Sequence, residues 1–324
     1  MKKYKKKLTA VIFGVSGQDG SYLAKHLIKK KYEVLGITRE INKKKFFRFK
    51  LLNIEKKIKL IKGNAINFNF VKKLIKNNKE IKEIYYLSGK SSVTKSFINP
   101  IESFKSNALG IFNVLENVKN EKNNIKVFYS ASGQFFGNHK KNFYNEKSKI
   151  LPQSPYGLSK ATGFWLTKIF RESFSLYACS GILFNHESPL RSKEFVTKKI
   201  VDTAKKIKKN KKGKLYLGNV DIFRDWGWAP EYVNAIWLML QQKKPIDLVI
   251  GSGKTHSLRE FVNEVFKILK LNKKNVVTNT KKFYRKNDIK SYRANTFLAK
   301  KKIGWKAKTS FKQIIKKMIY DELF

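Results

Sequence analysis

Short apolar runs rich in β-branched and aromatic residues alternate with helical-period segments along the first half of the chain. Residues 8–13, 33–38, 58–61, 84–87, 126–130 and 178–184 read as strands. Residues 21–30, 70–78, 101–118 and 155–173 lie between them and read as helices. This alternation predicts an α/β fold, a doubly wound parallel sheet with helices on both faces. After Asn185 the pattern changes. Residues 195–209 form a Lys-rich helical segment, 214–224 a short strand and turn, and 230–242, 257–269 and 310–323 further helices. The second half therefore predicts a smaller, mixed C-terminal lobe. The expected division is 1–185, with parts of 225–255 returning to it, and 186–324.

The first strand runs into Gly14-Val15-Ser16-Gly17-Gln18-Asp19-Gly20 and then a helix. Glycines three apart on a strand-to-helix turn let the backbone approach a pyrophosphate, and the helix N-terminus offers free N–H groups and a favourable dipole. A glycine motif placed between a predicted strand and a predicted helix predicts a phosphate-binding turn of a Rossmann-type sheet, against the plainer reading of a simple tight turn. The second strand ends in Thr38-Arg39-Glu40. An acidic residue there serves the ribose of NAD, whereas the planar guanidinium of Arg39 suits a 2′-phosphate and favours NADP.

Tyr156 and Lys160 are four apart, so on a helix they share a face. A lysine ammonium beside a phenol lets tyrosinate take a hydroxyl proton as hydride leaves carbon. Tyr86 and Lys90 have the same spacing, but Tyr86 sits in a strand followed by Ser-Gly. Tyr156 follows Ser154-Pro155, a good helix start, so context selects the second pair. After the strand at 126–130, Ser132 supplies a third partner for the substrate hydroxyl.

Composition narrows the classes. The formal charge is +48, which invites a nucleic-acid reading. Yet only 8 of the 71 basic residues are Arg, and the 63 Lys are spread over almost every segment. Nucleic-acid readers lean on Arg forks, so the charge reads as lysine-rich background without a specific nucleic-acid partner. Among the 8 Arg, Arg39 ends the second strand, where lysine cannot reproduce a bidentate fork to a phosphate. One Cys excludes a disulfide framework, and the scattered His26, His139, His186 and His256 predict no metal site. The basic start precedes an apolar stretch too short for an export signal, and no run approaches a membrane span, so a cytoplasmic location is expected.

Taken together, these segments resemble the extended short-chain dehydrogenase/reductases of NAD-dependent epimerase/dehydratase type, and among them the GDP-mannose 4,6-dehydratases. The resemblance rests on G-V-S-G-Q-D-G-S-Y-L-A at 14–24, S-P-Y-G-L-S-K at 154–160, G-I-L-F-N-H-E-S-P-L-R at 181–191, F-V-T-K-K-I at 195–200 and G-N-V-D-I-F-R-D-W-G-W-A at 218–229. It implies oxidation of carbon 4 of a GDP-sugar (GDP-mannose or a GDP-heptose) with NADP, then elimination of water across carbons 5 and 6, by a homodimer or homotetramer. It implies catalytic Ser132, Gln134, Tyr156 and Lys160. Cofactor contacts would come from Gly14, Gly17, Gln18, Asp19, Gly20, Arg39, Asn64, Leu87, Ser91, Tyr156 and Lys160, and from Arg191 reaching a neighbouring subunit. Asn185, Lys199, Gly218, Arg224, Arg285 and Asp288 would hold the GDP-sugar.

The chain departs from the family pattern at one critical place. The S-x-E-x-x-G segment, whose Glu is the family's acid/base for the elimination, reads Ser132-Gly133-Gln134-Phe135-Phe136-Gly137. An amide does not titrate, and loss of a positioned acid/base costs about 10² to 10⁴ in rate. The alternative expectation is therefore a GDP-sugar dehydrogenase, reductase or epimerase that acts only at carbon 4. Lys90 stands where the family has Gln, and Asn64 where it has Asp.

Overall fold

The computed structural model describes residues 7–41, 46–121, 124–138, 143–284 and 288–324, and the chain divides into two compact units. Residues 1–132, 155–182 and 233–248 form the first; 133–154, 183–232 and 249–324 form the second. The expected boundary at 185 therefore shifts. Residues 133–154 leave the first unit because the chain exits the sheet after Ser132 and its strand Phe143–Tyr144 pairs with Ser291–Ala294.

In the first unit β1 (Thr9–Phe13) leads into α1 (Gln18–Lys29), followed by β2 (Glu33–Thr38), β3 (Lys59–Lys62), β4 (Ile81–Tyr86) and β5 (Lys126–Ser132). Seven strands form one sheet in the order Leu248–Ile250, Ala178–Leu183, β5, β4, β1, β2, β3. The pairs β1–β2, β2–β3, β1–β4 and β4–β5 are all parallel. Position in the sheet explains the residue pattern. Central β1, Thr-Ala-Val-Ile-Phe, is buried at every residue, whereas edge strand β3 exposes both terminal lysines. The strand order reverses beside β1, with β2 and β3 on one side and β4 and β5 on the other. Such a reversal opens a crevice at the carboxyl ends of the strands, where ligands bind in this class of sheet.

One expected helix is broken. Residues 101–118 fold as Pro100–Phe104, a wide turn over Lys105–Leu109, and Gly110–Asn120. The carbonyls of Ser106 and Asn107 accept from the hydroxyls of Tyr86 on β4 (2.7 Å) and Tyr129 on β5 (3.1 Å). Hydroxyls from the sheet thus replace part of the helical ladder, a common origin of wide turns. The strand Leu248–Ile250 and the helices Phe47–Leu51, Val93–Ile98 and Phe297–Ile303 have too little periodicity to be read from sequence.

The second unit carries a five-stranded mixed sheet. Its order is Thr255–Ser257, Phe223–Trp228, Ser291–Ala294, Phe143–Tyr144, with Asn185–Glu187 pairing Phe223–Trp228. Its core gathers Ile200, Val201 and Ala204 from helix Val196–Asn210, Phe261 and Val265 from Leu258–Ile268, and Ile315 and Met318 from Phe311–Ile319, around Trp226 and Trp228. Among the described residues no helix is long and apolar enough to cross a membrane.

Candidate active site

The glycine turn is built by backbone constraint. Gly14 has φ +84°, and a Cβ there would stand 2.8 Å from the Ser88 nitrogen. Any side chain would be strained and would push the turn off the segment after β4. A Cβ on Gly20 would collide with the Gly14 carbonyl, so the helix packs directly on the turn. Gly17 caps α1 without a side-chain hydrogen bond, which leaves the first turn of the helix to a ligand. Gln18, Asp19 and Gly20 form that first turn.

A cavity of about 310 Å³ opens beside this turn. Gly14, Gly17, Arg39, Asn64 and Leu87 line it, as do Lys90 and Glu102. Arg39 is 65% exposed and pairs at 3.7 Å with Glu102, which also pairs with Lys90 at 3.3 Å. Asn64 Oδ1 accepts from the Ile66 nitrogen and closes a local turn. Ser91 is exposed, next to Ser92, whose side chain caps helix Val93–Ile98.

Helix Pro155–Phe174 places Tyr156 and Lys160 in the same unit, both buried. Lys160 Nζ donates to the Ser130 carbonyl at 2.7 Å and reaches its hydroxyl at 3.3 Å. Ser130 and Ser132 are two apart on β5, so Ser132 faces the same side of the sheet as the group Lys160 grips. Lys160 Nζ lies 6.0 Å from the Tyr156 ring centroid. Burial pushes the Lys160 ammonium down to about 7, and the Asp19 carboxylate on α1 works against that shift. Ser132, Tyr156, Lys160 and the glycine-turn residues thus share the first unit.

Gln134, Asn185, Lys199, Gly218, Arg224, Asp288 and Arg191 belong to the second unit; Arg285 lies outside the described residues. Arg224 is buried. Its guanidinium donates to the Phe223 and Ile289 carbonyls and to Asp288 Oδ1 at 2.7 Å. Lys199 Nζ donates to the Tyr216 carbonyl and sits 3.5 Å over the Phe283 ring, and burial lowers its pKa. Arg191 folds onto Glu187 (3.3 Å) and lies 3.6 Å over the Phe195 ring. Glu187 also accepts from Thr197 Oγ1 at 2.7 Å, so its carboxylate is already engaged. Gln134 Nε2 donates to the Tyr292 hydroxyl at 2.8 Å, and that hydroxyl donates to Asn185 Oδ1.

The profile of the GDP-mannose 4,6 dehydratase family matches residues 11–318. GDP-mannose 4,6 dehydratase 1 of Arabidopsis thaliana is 36% identical over 97% of this chain and 89% of its own length. The GDP-mannose 4,6 dehydratase of Homo sapiens is 34% identical over 97% and 91%. The chain belongs to the GDP-mannose 4,6-dehydratase family. In fold it is similar to the dTDP-glucose 4,6-dehydratase of Bacillus anthracis solved in complex with NAD, with a TM-score of 0.84 at 19% identity over 97% of this chain and 96% of that one.

Within this family member, two side chains escape a reading of the sequence. Tyr292, on a strand far along the chain from Gln134, carries no local motif. Arg48 donates to the Ser16 carbonyl inside the glycine turn at 3.1 Å. Its signal was available, because it is one of the few arginines in a lysine-rich chain. Arg171 forks onto Asp247 (2.9 and 2.7 Å) and Arg259 onto Asp221 (2.8 and 2.9 Å), so a fork to a carboxylate also calls for arginine where lysine would not serve.

Proposed function

We propose that this chain is an NADP-dependent 4,6-dehydratase acting on GDP-mannose or a closely related GDP-sugar. The observation that carries the reading is the buried Lys160, on the Tyr156 helix and gripping β5, in a family member whose glycine turn is intact. The residues present fit a dinucleotide. The turn at Gly14 and Gly20 leaves no room for side chains, α1 begins without a side-chain cap, and Arg39 stands at the cavity wall where a 2′-phosphate would be met. Gly17, Gln18, Asp19, Asn64, Leu87 and Ser91 complete the proposed cofactor set.

The bound nicotinamide would supply hydride chemistry, taking hydride from sugar carbon 4 and returning it at carbon 6. Tyr156 takes the carbon-4 hydroxyl proton. The Lys160 ammonium stabilises the phenolate that does so, and Ser132 orients the hydroxyl. Asn185, Lys199, Gly218, Arg224, Arg285 and Asp288 hold the GDP-sugar. Arg224, locked by Asp288 and two carbonyls, presents fixed positive charge to a diphosphate.

The active form in this reading is a homodimer or homotetramer. Exposed Ile98 (72%) and Ile101 (70%), with Leu158 and Ile169 on the contacting helix Pro155–Phe174, supply apolar surface for a second copy, and Arg191 would serve a neighbour's cofactor site. The buried lone Cys179 suits a reducing cytoplasm.

Mass spectrometry of the sugar nucleotide after incubation with GDP-mannose and NADP tests the reading. Loss of one water supports it. Loss of two hydrogens alone means oxidation at carbon 4 only, and no change rejects it.

A further inference from the structure

We propose that Glu102 sets the cofactor preference of the cavity beside the glycine turn. Given the dinucleotide reading above, Lys90 joins Arg39 as a second cation for the 2′-phosphate. Glu102 is the chain's own anion, and it occupies the seat between them until that phosphate displaces it.

Two cations converge on one oxygen. Lys90 Nζ stands 3.3 Å and Arg39 Nη1 3.7 Å from the same Oε1 of Glu102. All three residues line the cavity and belong to the first unit. Arg39 follows β2, Lys90 lies in the segment after β4, and Glu102 is on helix Pro100–Phe104, so three separate segments bring the charges together. The Lys90 backbone is held on both sides. Its N–H donates to Ser106 Oγ at 3.2 Å, and its carbonyl accepts from Asn107 Nδ2 at 3.2 Å. Ser106 Oγ also donates to the Glu102 carbonyl at 2.8 Å, so one serine ties the two residues together. Gly89 has φ +152°, and a Cβ there would collide with Asn107 Oδ1, so the chain reaches Lys90 by a path that only glycine allows.

Charge and exposure decide which anion wins the seat. The Glu102 carboxylate sets a single negative charge against two cations. A phosphate monoester carries about −1.5 to −2 and three acceptor oxygens, enough to serve both cations at once. The ion pairs that it replaces are substantially exposed and worth little to keep. A dinucleotide without the phosphate brings no anion to this place and leaves Glu102 where it is. Lys90 and Arg39 thereby read the phosphate, and Glu102 tempers how strongly they do so.

Calorimetric titration of the full chain with NADP, NAD, AMP and adenosine 2′,5′-bisphosphate tests the seat without turnover. The last two ligands differ only in the 2′-phosphate. Glu102→Gln removes the competing charge at nearly constant size. It should tighten NADP and adenosine 2′,5′-bisphosphate by about two- to fivefold and leave NAD and AMP unchanged. Lys90→Gln, which returns the residue of the family pattern, should weaken the same two ligands by about three- to tenfold and spare NAD and AMP. Unchanged or looser NADP binding by Glu102→Gln, or a Lys90→Gln variant that loses NAD as much as NADP, overturns the proposal and leaves the dinucleotide reading intact. A wild-type chain that binds neither NAD nor NADP overturns both. Melting temperatures of the variants, matched to wild type, exclude a folding defect as the cause.

Discussion

The two units handle buried polar groups in opposite ways. In the first, Lys160 is a buried cation held by one carbonyl and one hydroxyl of Ser130, and burial brings its proton affinity close to neutrality. In the second, buried charge is met by direct partners. Arg224 has Asp288 and two carbonyls, Glu187 has Thr197 and Arg191, and Asp225 has backbone N–H groups that oppose the upward push of its burial. A buried ion with a full partner set is pinned, whereas one short of partners stays responsive. The first unit therefore keeps one buried group whose proton can still come and go near neutral pH. The second holds its buried charges fixed.

The contrast is broken most sharply at Tyr156. Tyr156→Phe should lower cofactor reduction and product formation together, by about 10² to 10⁴, in single-turnover absorbance traces. A variant that loses product but keeps cofactor reduction would move the first oxidation away from this residue. Next in size is Arg39→Leu, which should weaken NADP by about ten- to a hundredfold, as expected for loss of a charge-assisted pair, and leave NAD affinity unchanged. Calorimetric titration with both dinucleotides reads this directly. Equal losses for both would assign Arg39 to the shared part of the cofactor.

Gln134→Glu changes the second unit alone. It should raise dehydration several-fold, within the range open to a positioned acid/base, without altering the rate of carbon-4 oxidation. Quenched-flow product analysis against absorbance separates the two steps. The smallest effect is on stability. Because burial lowers the Lys160 pKa from 10.5 to about 7, the folded chain carries a destabilising ammonium below that pH. Above pH 7 the unfolded chain keeps a proton that the folded one sheds, so stability rises with pH and the penalty is gone above 10.5. Lys160→Met should therefore melt higher than wild type at pH 6.5, with the gap narrowing by pH 9 in thermal scans of the cofactor-free protein.

Legibility divides between the same two units. Gly14 to Gly20, Tyr156 and Lys160 were readable because each set is contiguous or one helical turn apart, and local geometry alone brings those atoms together. Central β1 was legible as an unbroken, largely apolar run, while β3 was displaced by one residue because its position at the sheet edge leaves both ends as exposed lysines. The helix expected over 101–118 failed at its middle. The hydroxyls that open its wide turn come from Tyr86 and Tyr129, and no window along the helix contains them. Tyr292 was missed for the same reason: its partner Gln134 is on a different strand-and-turn segment of the second unit.

What the amino-acid order determined by itself was local. It set the strand-turn-helix at Gly14, the Tyr156–Lys160 pair, and the absence of a carboxylate at Gln134. These follow from chirality, helical period and side-chain chemistry, none of which needs a distant contact. Only tertiary structure decided how poised or pinned each charge is. The Lys160 proton depends on burial against β5, and Arg224 depends on Asp288 from another strand's approach. Whether the missing carboxylate left a gap or a phenol within one hydrogen bond was settled by where Ser291–Ala294 pairs. Hydrogen bonds and desolvation act through space over a few ångströms, and the fold alone decides which residues come that close.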